Sequence, residues 1–206
     1  MTTKDNWLTW AVRLQALAQN GLAYTDNAFD KERFEEIRQI AAEMLVEPSG
    51  QPLEVVEDLF VNETGYQTPK LDTRAAIFQE DKILLVQESD GRWSLPGGWC
   101  DVFQSPMDNT VKEAKEEAGL DVVAYRLVAV LDKHKHQPSR SAHHVTKMFF
   151  LCKNLGGQFV ANTETLDSQY FALNELPELS INKTSEDQIA LCYEAYKAEQ
   201  WEAVFD

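Results

Sequence analysis

Three glutamates crowded onto one face of a short helix, with a glycine turn on one side and a glycine stop on the other, constrain this chain most. The stretch runs from Leu95 to Leu120, LPGGWCDVFQSPMDNTVKEAKEEAGL. It begins with the turn Pro96-Gly97-Gly98, continues through a loop ending at Ser105-Pro106, and then reads as a helix from Lys112 to Ala118 that stops at Gly119. Glu113, Glu116 and Glu117 are spaced i, i+3, i+4, which puts their carboxylates on one face, where like charges repel by a few tenths of a kcal/mol per pair. A solvated acidic face would show the same spacing. The flanking glycines favour the other explanation, a hard divalent cation held by oxygen ligands.

Composition sets the frame. The chain has 206 residues and is 44% hydrophobic, enough for one large domain, or one domain and a small companion, with a buried core. No apolar run approaches the ~20 residues of a membrane span. MTTKDNWLTW lacks the basic-then-apolar pattern of a secretory signal, and three widely spaced cysteines, Cys100, Cys152 and Cys192, suggest neither a disulfide scaffold nor a zinc ribbon. A cytoplasmic protein is expected. The net charge of -15 argues against tight binding to nucleic acid or an anionic membrane. That charge is uneven. Residues 1–65 hold 5 basic and 12 acidic side chains, residues 66–150 hold 11 and 12, and residues 151–206 hold 3 and 10. The glutamate helix therefore lies in the part richest in cations, which suits an anionic substrate or simply reflects where the lysines fall.

Periodicity divides the chain at about residue 65. Before it, Trp7, Leu8, Trp10, Ala11, Leu14, Leu17 and Ala18 make a helical stripe from Asp5 to about Asn20, ended by Asn20-Gly21. A second helix is expected from an Asp30 N-cap, with Phe29 and Phe34 as a hydrophobic staple, up to Glu47-Pro48. A third should span about Leu53 to Phe60. So small a helical module has little core of its own, and its Trp and Phe side chains should pack on another domain or a second copy, making a homodimer. After the turn-rich VNETGYQTPK, strands are expected at 71–78, 82–87, 122–131, 143–152 and 170–173, with a turn at Leu155-Gly156-Gly157. A closing helix starts at Ser185, where Ser185 and Gln188 fit a capping box. The fold class is α/β, an α/β/α sandwich around a mixed β-sheet in residues 66–206, preceded by a small all-α domain in residues 1–65.

The 95–120 stretch resembles the Nudix box. Gly98, Glu113, Glu116, Glu117, Gly119 and Leu120 match its fixed positions, and Ala114 stands as a weak hydrophobe. Two positions depart: Gln104 replaces a glutamate and Lys112 an arginine, so the ion pair that braces the loop in that family would become a weaker hydrogen bond. The helical N-terminal segment, the string ETGYQTPKLDTRAA and the variant box GGWCDVFQSP are similar to a bacterial subgroup described as ADP-ribose and CDP-choline pyrophosphatases.

The resemblance implies hydrolysis of the phosphoanhydride in a nucleoside diphosphate linked to another group, with Mg²⁺ or Mn²⁺ as cofactor. Glu116 and Glu117 are the expected principal metal ligands, Glu113 a third ligand or an orienter of the attacking water, and a Gly97 or Gly98 carbonyl a backbone ligand. Gly97 and Gly98 also let the chain approach phosphate closely. Glu164 stands where related enzymes often carry a general base, although exposed loop glutamates are common. The run DKHKHQPSRSAHHVTK gathers all four histidines with Lys135 and Arg140. It reads as a cationic arm over the diphosphate, as a second metal site through His134 and His136, or as a plain loop. Arg74 suits either a phosphate contact or a salt bridge. Asp101 suits loop capping or a ligand contact, and Trp93, Trp99, Phe103 and Tyr170 suit packing or base stacking. A ligand-binding module without activity and an RNA-processing enzyme at the same site are the competing functions.

Overall fold

The computed structural model of the chain describes residues 3–49, 65–137 and 144–206. Two compact units meet in sequence at the Pro69–Lys70 junction. The expected helix at 53–60 and Arg140 lie outside the described residues.

The first unit holds α1 (Thr3–Tyr24) and α2 (Ala28–Ser49). The expected stop at Asn20-Gly21 is overridden, because Gly21 sits under the ring of Phe34 of α2, where a Cβ would come within 2.4 Å of it. A residue without a side chain lets the helices approach there, and α1 continues to Tyr24. The N-cap of α2 is Asn27 rather than Asp30: its Oδ1 accepts the N–H groups of Phe29 (2.9 Å) and Asp30 (3.3 Å). Phe29 is exposed instead of stapling the helix start. Ala11, Ala42 and Leu45 form the small apolar core. The buried face of α1 runs through Ala11, Gln15 and Ala18, while Trp7, Trp10 and Leu17 are exposed.

The second unit is a seven-stranded mixed sheet: β1 (Lys70–Gln79), β2 (Lys82–Glu88), β3 (Trp93–Ser94), β4 (Leu120–Asp132), β5 (Val145–Gly157), β6 (Thr165–Phe171) and β7 (Val204–Phe205). The strand order is β3-β2-β1-β5-β4-β7, with β6 also paired to β2. β1 runs parallel to β5, and its hairpin with β2 turns at Glu80 and Asp81, both with positive φ. Leu155 to Gly157, expected as a turn, extend β5, with Gly156 and Gly157 opposite Asp121 and Leu120 of β4.

Alternation along the strands serves two layers. Ala75, Ile77, Leu84 and Val86 face α3 (Pro106–Ala118) through Ala114 and Ala118. Ala76, Ile83, Leu85, Val128 and Leu151 face α5 (Glu186–Lys197) through Ile189, Cys192 and Ala195. A single turn, α4 (Lys133–His136), follows β4. The architecture is therefore the expected α/β/α sandwich. α5 starts as read, with the Ser185–Gln188 capping box formed in both directions.

Candidate active site

The glutamate helix is longer than its apolar pattern suggests. Ser105 caps α3 by accepting the Asp108 N–H, and Pro106 occupies the first turn, where its missing N–H costs nothing. The loop thus ends at Ser105-Pro106 as read, and the helix starts there, six residues before Lys112. Gly119 closes the helix at φ 70° with its N–H on the Ala114 and Lys115 carbonyls, a left-handed conformation that suits glycine.

The glycine turn is fixed from both sides. β1 takes the Pro96 carbonyl through the Ala75 N–H (2.8 Å) and the Gly98 carbonyl through the Thr73 N–H (2.9 Å). Gly97, between them, turns its N–H the other way, onto Glu117 Oε2 at 2.8 Å. Its φ is 144°, and a Cβ would fall 1.9 Å from the Thr73 carbonyl oxygen, so this position requires glycine. The three glutamates then face different surroundings. Glu117 is 8% exposed, and burial pushes its carboxyl up to about 7, against the lowering pull of the Gly97 N–H and the Arg74 charge. Glu113 lies beside Gly98 and is likewise raised, first by burial, with Lys112 opposing. Glu116 is more than half exposed.

Lys112 takes a different partner from the one expected. Its Nζ bonds Asp101 Oδ2 at 3.0 Å and stands 3.6 Å from Glu113 Oε1 and 3.4 Å from Glu116 Oε2. The loop between Asp101 and Ser105 turns tightly, with the Gln104 N–H on the Asp101 carbonyl, and presents the carboxylate of Asp101 to the helix. The brace thus runs from helix to loop through Asp101, and Lys112 offsets part of the repulsion among the glutamates. The desolvated pair, Glu113 and Glu117, is where a cation would relieve most.

Arg74 is buried and fully engaged. Its Nε and Nη2 bond Asp72 Oδ1 (2.8 Å) and Oδ2 (2.6 Å), and Nη1 bonds the Leu95 carbonyl (3.1 Å). Burial works to lower its pKa, but the Asp72 carboxylate outweighs this and holds it above the ordinary value. The salt-bridge alternative describes Arg74 here, and its charge still reaches Glu117. Glu164 is exposed, in a loop hung from the end of α3: Asn162 Nδ2 bonds the Glu116 carbonyl (3.0 Å) and Thr165 Oγ1 the Glu117 carbonyl (2.9 Å). Lys135 is exposed on α4. His136 pairs with Asp206 Oδ2 at 2.7 Å. Trp93 packs in the core against Phe171, whereas Trp99 and Phe103 are exposed.

Lys147 ends the cationic run DKHKHQPSRSAHHVTK, and the structure buries it instead of leaving it on an arm or exposed loop. It is 1% exposed, its Nζ donates to Gln137 Oε1 (3.3 Å) and the Lys183 carbonyl, and burial pushes its pKa down to about 7. The signal was available: Val145, Lys147, Phe149 and Leu151 alternate along β5 and are all buried, so the lysine occupies an inward position.

A carboxylate-lined helix packed on one face of a mixed sheet and clamped to a glycine turn defines a Nudix-type hydrolase. Residues 68–192 match the family model of the NUDIX domain, and residues 5–60 match that of the UDP-X-like, N-terminal oligomerisation domain. The chain belongs to the Nudix family and is a Nudix pyrophosphatase homologue. It is 41% identical over 204 residues to the "Putative ADP-ribose pyrophosphatase YjhB" of Bacillus subtilis (strain 168), with 98% of each chain covered. Among solved structures, an ADP-ribose pyrophosphatase from Streptococcus suis 89-1591 is 65% identical, with 68% of this chain and 100% of that one covered (TM-score 0.64). A UDP-X diphosphatase is 35% identical, with 100% of both chains covered (TM-score 0.65).

Proposed function

We propose that the chain hydrolyses the phosphoanhydride of a nucleoside diphosphate linked to another group, with a divalent cation, Mg²⁺ or Mn²⁺, held by Glu113, Glu116, Glu117 and the Gly97 carbonyl. The observation that carries this reading is the clamp between Gly97 and Glu117. It holds a desolvated carboxylate against a backbone turn whose neighbouring carbonyls are already paired. The donor set fits a hard cation, because every ligand offered is an oxygen and two of the carboxylates are costly to ionise where they sit. Such an ion supplies neutralisation of diphosphate charge and acidification of water.

The chain's own residues do the rest. The Gly97 N–H orients Glu117, β1 fixes the turn, and the Lys112–Asp101 pair ties the loop to the helix. Glu164 is the proposed general base, carried by a loop anchored to the same helix end. Lys135 and Arg140 are proposed phosphate contacts. Arg74 is proposed to act on substrate through its field on Glu117, while its ion pair stays closed. Residues 66–206 form the proposed catalytic domain and residues 1–65 a packing unit for a homodimer, in line with the oligomerisation description of the matching N-terminal model.

ADP-ribose is the first substrate to test, since two of the relatives bear that name. CDP-choline, UDP-linked compounds and 5′-triphosphorylated RNA complete the panel, assayed by phosphate release with a coupled phosphatase in Mg²⁺ or Mn²⁺. Release from a nucleoside diphosphate derivative is expected. Release from none of them removes the proposal, and release from RNA alone replaces it.

A further inference from the structure

The end of β4, the turn α4 and the start of β5 bring together three Lewis bases away from the glutamate helix. Asp132, His134 and His144 each place one ligand atom within 4.8 Å of the other two. The imidazoles of His134 and His144 lie nearly parallel with centroids 4.3 Å apart. His134 Nδ1 stands 3.7 Å from Asp132 Oδ1. The backbone holds all three positions. Asp132 pairs with Thr146 in the β4–β5 register and caps α4 by accepting the His134 N–H (2.9 Å). His144 offers its carbonyl to the Lys70 N–H at 2.9 Å. The cap uses part of one carboxylate oxygen, and a carboxylate has about four lone-pair sites.

We propose that Asp132, His134 and His144 form a second metal site, selective for a borderline ion of the Zn²⁺ class, which fastens the end of β4 to the start of β5. Two imidazole nitrogens and one carboxylate are a donor set that Zn²⁺, Co²⁺ and Ni²⁺ prefer and Mg²⁺ does not. Tetrahedral bonds of ~2.1 Å place ligand atoms ~3.4 Å apart. Every spacing here is within 4.8 Å, so side-chain adjustment of at most about 1.4 Å brings the atoms to that separation. The sequence suggested His134 with His136. The structure replaces His136 by His144, because the His136 ring is turned to Asp206 while the chain returns at His144 to stack on His134. The ligands come from both ends of the segment that joins β4 to β5, so a bound ion would close that segment as a cross-link does.

The test uses the full chain, stripped of metal with a chelator. Zn²⁺ alone is titrated in competition with a chromophoric chelator, and Co²⁺ is titrated by visible absorption, which is intense for four-coordinate N/O ligation. One ion per chain should bind, and binding should persist in the Glu116→Gln/Glu117→Gln variant. His134→Ala and His144→Ala should each weaken it at least ~100-fold, the upper end of what loss of outer-shell partners alone costs. His134→Gln provides a milder change, and melting curves in chelator show which variants are folded. Zn²⁺ binding that disappears with the glutamates, binding unchanged in folded histidine variants, or a Co²⁺ spectrum without the four-coordinate band overturns the proposal.

Discussion

Replacing Glu117 by Gln should make the metal-free protein more stable at pH 8 while removing its activity. The Glu117 carboxyl has its pKa moved from 4.5 to about 7 in the folded chain, chiefly by burial. The folded state thus keeps a proton that the unfolded state has released. That contribution is fully present below pH 4.5 and is lost as pH rises through about 7. At ~1.4 kcal/mol per pKa unit, ionising Glu117 in place costs about 3 kcal/mol above pH 8. A glutamine keeps an oxygen for the Gly97 N–H but adds an amide that needs its own partners, so the net gain should be roughly 1–3 kcal/mol. For a chain of this size, this raises the melting temperature by roughly 2–10 °C. The assay is calorimetry in chelator at pH 8 and pH 5. The advantage should be largest at pH 8 and should shrink on acidification, because wild type then keeps its proton. Adding Mg²⁺ at pH 8 should reverse the order, since an ion that binds the ionised carboxylate stabilises wild type more than the variant. A variant less stable than wild type in chelator at pH 8, or an advantage equal at both pH values, refutes the reasoning about desolvation.

The same substitution, and Glu116→Gln, should lower turnover by orders of magnitude in the phosphate-release assay with the fold intact by circular dichroism. Gly97→Ala drives a Cβ into the Thr73 carbonyl oxygen and should cost roughly 2–4 kcal/mol in denaturant unfolding along with most activity. Lys135→Ala should raise KM more than it lowers kcat, since it removes a contact made equally in ground and transition states. Asn27→Ala should cost the helical unit about 1 kcal/mol by leaving the first-turn N–H groups of α2 without their cap, measured by urea unfolding.

What could be read from sequence was what short-range physics decides. The Glu113, Glu116, Glu117 face follows from helical spacing alone, the Ser185–Gln188 capping box is a four-residue device, and β1, β2, β4 and β5 announce themselves as apolar runs, whereas the two-residue β3 and β7 and the polar start of β6 do not. The misreadings arise where a residue's partner is distant in sequence. The first turns of α3 lie before the helix read from Lys112, and Asn109 and Thr110 are buried there, with Asn109 Nδ2 on Thr73 Oγ1 at 2.9 Å, a partner thirty-six residues away. Gly21 looks like a stop until Phe34 is placed against it.

The departure at Gln104 and Lys112 belongs to the same class of error and carries more weight for function. Read as a pair of positions, the exchange of an ion pair for a weaker bond suggests a loosened brace. Read in three dimensions, the lysine keeps a carboxylate partner, Asp101, across the same loop. A lysine can do this where arginine's fixed planar fork is less adaptable, because its ammonium is a compact charge on a flexible stem that also reaches Glu113 and Glu116. The physical requirement, a cation that ties the loop to the helix and softens the crowding of the glutamates, is met by a different acid. If so, Lys112→Met should cost activity, and Gln104→Ala should cost little. Equal losses in the two variants would show that Gln104, and not Asp101, holds the loop.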